Sequence, residues 1–250
     1  MTVSRVGLDS WERSTFTAAG LTHDTFRKGS GRGVVVVHEM PGITPSVLAF
    51  AEEVVADGFS VVMPDLFGTP GRAPSLPYVV TSMVKGCVSR EFTTWAMNRT
   101  SPVIGYLRAV ARQLHLECGG PGVGALGMCF TGGFALAMMV DDTVVAPVLS
   151  QPSMPFAVGA ARAANLGLSP DDAHVVAERA ANGCPVMGLR FTGDRAVGSR
   201  FETLRTMLGD AFRPVEFPSV HRMDHSVLTE QRQDDAVAKV LAFFHERLDS

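Results

Sequence analysis

The chain lacks any stretch approaching the roughly 20 consecutive apolar residues that a bilayer-crossing helix requires. Its first residues, Met1-Thr-Val-Ser-Arg-Val-Gly-Leu-Asp-Ser-Trp11, contain no apolar segment of the kind found in secretion signals. A membrane anchor and an exported precursor are therefore not expected, and the cytoplasm is the expected location. Charge of one sign is also lacking: 22 basic against 25 acidic residues leave a formal charge of −3, with no run of like charges. That balance argues against nucleic acid or an anionic membrane surface as partner. Cysteine occurs only at positions 87, 118, 129 and 184, with no C-x-x-C pair, so neither a disulfide framework nor a metal site is expected. Internal repeats and low-complexity linkers are missing as well.

What remains is a chain of 250 residues, 46% of them hydrophobic, enough for one large domain with a substantial core. A single domain over 1–250 is expected, with residues 1–14 as a loosely ordered tail. Short apolar runs at 33–38, 60–63, 123–126, 144–149, 185–191 and 214–217 read as strands. Helical segments are predicted near 46–57, 102–116, 131–140, 170–182, 198–209 and 234–248. Strands with unbroken valine runs indicate an α/β fold, a mostly parallel sheet covered by helices on both faces. The segment before residue 33 reads as a strand pair forming an antiparallel edge. Two stretches, 65–101 and 150–170, resist a regular reading, and long connections at strand ends are where such sheets build pockets.

The most informative stretch is Gly124-Ala-Leu-Gly-Met-Cys-Phe-Thr-Gly-Gly133. It sets a cysteine between glycines where an apolar strand passes into a helix, the pattern of a nucleophile elbow with cysteine in the serine position. The turn exposes Cys129 beside unpaired backbone N–H groups, which favour a thiolate. By contrast, Cys87, Cys118 and Cys184 read as small buried hydrophobes, and the sequence contains no Gly-x-Ser-x-Gly.

Three further groups fall at strand ends: Glu39 after the valine run, Asp194 in Phe191-Thr-Gly-Asp194, and His225 in Asp224-His225-Ser226. The order Cys129, Asp194, His225 is the chain order of α/β-hydrolase triads. The chemistry calls for each type, a thiol to attack, an imidazole with pKa near about 6.5 to exchange protons, and a carboxylate to fix its tautomer. His221 competes with His225 for the base, and Asp194 could instead cap a turn.

These motifs, His38-Glu-Met-Pro-Gly-Ile43, Pro64-Asp-Leu-Phe67, Leu126-Gly-Met-Cys-Phe-Thr-Gly-Gly133, Gly193-Asp194 and Asp224-His225-Ser226, resemble those of the dienelactone hydrolase family of α/β-hydrolases over roughly residues 15–248. The resemblance implies a hydrolase of lactones or small carboxylic esters with Cys129 as nucleophile, His225 as base and acid, and Asp194 as its orienter. It also implies a Glu39 that hydrogen-bonds the resting cysteine and takes part in its activation. The backbone N–H groups of Met40 and Phe130 would form the oxyanion hole. Of two arginines that bind the substrate carboxylate in the best-known members, one is matched by Thr229, four residues after the histidine, and the other by Arg90. A halved clamp points to a neutral ester or a differently placed acid.

Arg90 and Trp95 are the candidate substrate contacts; Phe67, Tyr78 and Phe92 could wall a pocket or pin a long loop. No cofactor or metal is expected, and the partners are a small ester or lactone substrate and at most a second copy of the chain. The contrasting reading is a protein of the same fold that binds a small ligand, or senses oxidants through Cys129, without turnover.

Overall fold

The computed structural model describes residues 7–88, 92, 99–153 and 159–249. Its centre is an eight-stranded sheet in the order β1-β2-β4-β3-β5-β6-β7-β8. The strands are β1 Glu12–Ala18, β2 Leu21–Lys28, β3 Gly33–Val37, β4 Ser60–Pro64, β5 Val123–Met128, β6 Val144–Ser150, β7 Val186–Phe191 and β8 Phe212–Phe217. From β4 to β8 all pairings are parallel, while β1 and β2 run antiparallel at one edge. The expected α/β architecture with its antiparallel edge is what the chain forms. The β1–β2 turn is made by Ala19 and Gly20, both left-handed, with φ 52° and 76°, as a two-residue hairpin turn requires.

Among the described residues, eight α-helices flank the sheet: α1 Pro45–Ala56, α2 Leu76–Val88, α3 Val103–Cys118, α4 Gly132–Met138, α5 Ala160–Ala164, α6 Pro170–Ala181, α7 Arg200–Leu208 and α8 Asp234–Leu248. Successive side chains of β3 point to opposite faces, and both faces are covered. Val35 and Val37 pack with α3, α4, α6 and α7, whereas Val34 and Val36 pack with α1 and α8. All four are fully buried, each contributing roughly 1.5–3 kcal/mol of hydrophobic stabilisation. That two-sided burial is why the strand reads as unbroken valine rather than as an alternation.

Two expectations are revised. Residues 7–14 are not a loose tail: Leu8 and Trp11 are buried, the Trp11 indole N–H donates to Glu52 at 2.7 Å, and β1 begins at Glu12. The stretch 65–101, read as irregular, contains the 13-residue helix α2. Its β-branched residues and Gly86 hide the helical signal.

Because β3 to β8 are parallel, the connections leaving β3, β5, β6, β7 and β8 emerge along one edge. The chain moves from β3 outward to β4, then returns to the other side of β3 as β5. That reversal is the switch point at which open α/β sheets form a crevice.

Candidate functional site

Cys129 follows β5 directly, with φ 53°. A left-handed conformation in a non-glycine residue costs about 1–3 kcal/mol, and the surroundings impose it. A single 3-10 turn, Cys129–Thr131, leads into α4. The Thr131 hydroxyl accepts from the Met128 N–H at 3.0 Å and lies 2.9 Å from the Val37 carbonyl, fastening the elbow to the end of β3. A Cβ on Gly132 would sit 2.6 Å from the Pro152 Cα, so glycine there lets the segment after β6 close onto the elbow.

His225 and Asp194 come together as the spacing predicts, with Nδ1 and Oδ2 2.6 Å apart. The other carboxylate oxygen of Asp194 accepts from the Ala196 N–H at 2.9 Å, which fixes the carboxylate plane. Burial pulls the His225 imidazole down, but its electrostatic coupling to the adjacent Cys129 sulfur and its hydrogen bond to the Asp194 carboxylate outweigh this, holding its pKa well above the ordinary value. The competing His221 is exposed; its backbone N–H, with that of Val220, donates to Asp224 at 2.8 and 2.7 Å. Those two donors hold the Asp224 carboxyl below its usual range. Asp224 therefore shapes the turn that presents His225.

Glu39 is almost fully buried, but its partners differ from those the resemblance implied. One carboxylate oxygen accepts from the Ser226 hydroxyl at 2.9 Å and the Gln151 amide at 3.1 Å, and the other accepts from the Thr229 hydroxyl. Burial pushes its pKa up, opposed by the Thr229 hydrogen bond, the nearby His225 charge and the Ser226 and Gln151 donors. In place of the expected bond to Cys129, the carboxyl ties together the segments that follow β3, β6 and β8. Thr229, at the position matched to arginine, thus has a partner inside the protein.

The sulfur of Cys129 meets Ser153 instead, with Sγ and Oγ 3.2 Å apart. Ser153 and Gln151 escaped the sequence reading because neither belongs to a motif, and Thr131, inside the elbow motif, was given no role; their partners at Cys129, Glu39 and Val37 stand elsewhere in the chain. Gln151 is fully buried with φ 32°, and the left-handed bend turns the chain after β6 back toward the elbow.

Phe130 packs edge-on against Phe67, Phe92 and Phe134, with ring centroids 6.1, 5.7 and 5.5 Å away. Phe67 and Phe92 therefore pin the long 65–101 connection behind the elbow. The Tyr78 hydroxyl accepts from the Thr69 N–H at 2.5 Å, and the Arg72 guanidinium stacks on its ring at 4.2 Å. Beside the elbow lies a cleft with about 530 Å³ of space free of protein atoms, part of it open to solvent, walled by Phe130, Phe134, Leu149, Ser153, Arg99 and Arg200. Met40 is half-buried in the loop after β3. Arg90 and Trp95 lie outside the described residues. Among the described residues no group of side chains has the makings of a metal site, and no helix is long and apolar enough to cross a membrane.

The profile of the dienelactone hydrolase family matches residues 21–246. The chain belongs to that family. Membership makes it a hydrolase acting on ester bonds. Among solved structures, a Klebsiella pneumoniae protein named for dienelactone hydrolase is 18% identical over 94% of this chain and 98% of its own, with a TM-score of 0.65. A cold-adapted esterase from an Arctic intertidal metagenomic library is 17% identical over 95% and 94%, with a TM-score of 0.63. A dienelactone hydrolase from Anabaena variabilis is 15% identical over 96% and 99%, with a TM-score of 0.62. No curated protein matches the chain in sequence. At these identities the likenesses describe the shared fold of a dienelactone hydrolase family member, while the chemistry of this one rests on its own residues.

Proposed function

We propose that this family member opens a lactone or cleaves a small carboxylic ester through a covalent acyl-cysteine intermediate. The observation that carries the reading is a cysteine held at φ 53° at the end of β5, acting electrostatically on a histidine that is itself bonded to Asp194 at 2.6 Å. The raised imidazole pKa favours a proton on His225 beside the sulfur, and a positive charge there favours the thiolate in turn.

The thiolate attacks the substrate carbonyl carbon, and the developing oxyanion is received by the backbone N–H groups of Met40 and Phe130. One such donor is typically worth about 10²–10³ in rate. The His225 proton passes to the leaving alkoxide, and the neutral imidazole then takes a proton from water as water attacks the thioester. Collapse of the second tetrahedral intermediate releases the acid and returns the sulfur to its anionic form. Asp194 orients the ring and stabilises the imidazolium throughout. Glu39 serves here as a tie for the loop bearing His225, because its oxygens are already occupied by Gln151, Ser226 and Thr229.

Hydrolysis of p-nitrophenyl acetate and of a cis-dienelactone by the parent protein and by Cys129→Ala tests this. Activity in the parent that vanishes in the variant is the expected result. Equal rates in both proteins would overturn Cys129 as the nucleophile, and none in either would favour a ligand-binding or thiol-sensing protein instead. A preference for the neutral ester is expected, since Thr229 is committed to Glu39 and offers no positive charge to a substrate carboxylate.

A further inference from the structure

We propose that Ser153 is a positioning residue for the nucleophile, its hydroxyl donating to the Cys129 sulfur and holding it in its attacking rotamer. The inference rests on the reading of Cys129 as nucleophile and adds a residue outside the Cys-His-Asp set. Three observations carry it. The Ser153 Oγ lies 3.2 Å from Sγ. The Ser153 backbone N–H donates to the Cys129 carbonyl at 3.0 Å, so the two residues are registered through their main chains as well as their side chains. The approach is also built in, because Gly132 leaves room for Pro152 to close on the elbow.

Chemically, a hydroxyl is the fitting group for this place. It can accept from a thiol and donate to a thiolate by rotating one proton, so it follows the sulfur through the cycle without adding a charge. A hydrogen bond to an ionised acceptor is roughly twice as strong as one between neutral groups. Ser153 is buried and also walls the cleft beside the elbow. His225 approaches the sulfur as a cation, and Ser153 supplies a neutral donor that remains when the imidazole has given up its proton.

The test is alkylation of Cys129 by iodoacetamide between about pH 5 and pH 8, a range below the ordinary thiol pKa of about 8.5. Modification is read at the Cys129 peptide by mass spectrometry, so that the other thiols do not contribute. In Ser153→Ala the rate at the acid end is expected to fall about tenfold, the gap closing toward the alkaline end, with kcat lower by a similar factor and KM little changed. Ser153→Thr, which keeps the hydroxyl, restores most of both. An alanine variant that is alkylated at the parental rate across the range overturns the proposal, even if its kcat falls. Should the alanine variant not fold, Ser153→Gly is read the same way. A parent protein that turns over no ester but shows Ser153-dependent alkylation upholds this inference while removing the hydrolase reading, so the two failures are distinguishable.

Discussion

Asp194 does two jobs with its two oxygens, one held by the Ala196 N–H and the other by His225 Nδ1. Fixing the imidazole from one side leaves its other nitrogen for proton transfer, and a neutral amide in that place would present the ring in the wrong tautomer. Asp194→Asn should therefore lower kcat by about 10²–10⁴-fold while leaving KM close to the parental value; steady-state kinetics on a p-nitrophenyl ester checks this. A drop confined to KM would mean that the carboxylate binds substrate. Much of this residue-level arrangement was legible in the sequence, since Cys129, Asp194 and His225 each stand just beyond an apolar run. Glu39 was legible as a strand-end carboxylate but not in its partners. A hydroxyl reaching it from Thr229, 190 residues later, has no signature in spacing.

At the level of elements, the helices that read most clearly carry their own start signals. Ser169 precedes Pro170 and accepts from the Asp172 N–H at 3.1 Å, and Asp171 and Asp172 lie in the positive first turn of α6. Cap and dipole point to the same boundary. Replacing the cap with alanine, Ser169→Ala, should cost about 1 kcal/mol, read as a lower denaturation midpoint with unchanged slope. Helix α2 shows the opposite case. Its Leu76, Val80 and Val84, spaced by four, are exposed, so this apolar row faces solvent instead of marking a core-facing side. Arg200 is a further element-scale tie that the sequence hides. Buried at the head of α7, it donates to the Asn165, Arg162, Ala196 and Val197 carbonyls, and burial lowers its pKa to about 10, opposed by the nearby Asp194 charge.

Across the whole molecule, Glu39 is the point at which three separate connections meet. Its folded pKa is raised above the ordinary 4.5, with burial the largest cause. Between those two values the unfolded chain has lost its proton while the folded protein keeps it, so folding stability falls as pH rises through that window. Glu39→Gln removes the ionisation. The stability of the glutamine variant relative to the parent should accordingly improve from about pH 4.5 toward neutrality, measured by denaturant titration at each pH. A difference that is flat with pH, or that moves the other way, would mean that the three donors stabilise the charged carboxylate enough to cancel its desolvation. The sheet itself was the most legible feature at this scale, because burial on both faces leaves a continuous apolar imprint, whereas the lateral order of its strands is set by pairings that no local pattern records.

The parallel sheet has one more consequence, and it concerns time rather than structure. The proposed nucleophile lies in the middle of the chain and its proposed base near the end, so a growing polypeptide carries the Cys129 thiol for about a hundred residues of synthesis before His225 can join it. Contacts of such long sequence separation form late, after the closure entropy of the intervening chain has been met. Until β8 docks beside β7, Cys129 has neither His225 nor the segment that Glu39 secures. Reactivity at this one sulfur is thus a chemical signal that the last strand has arrived.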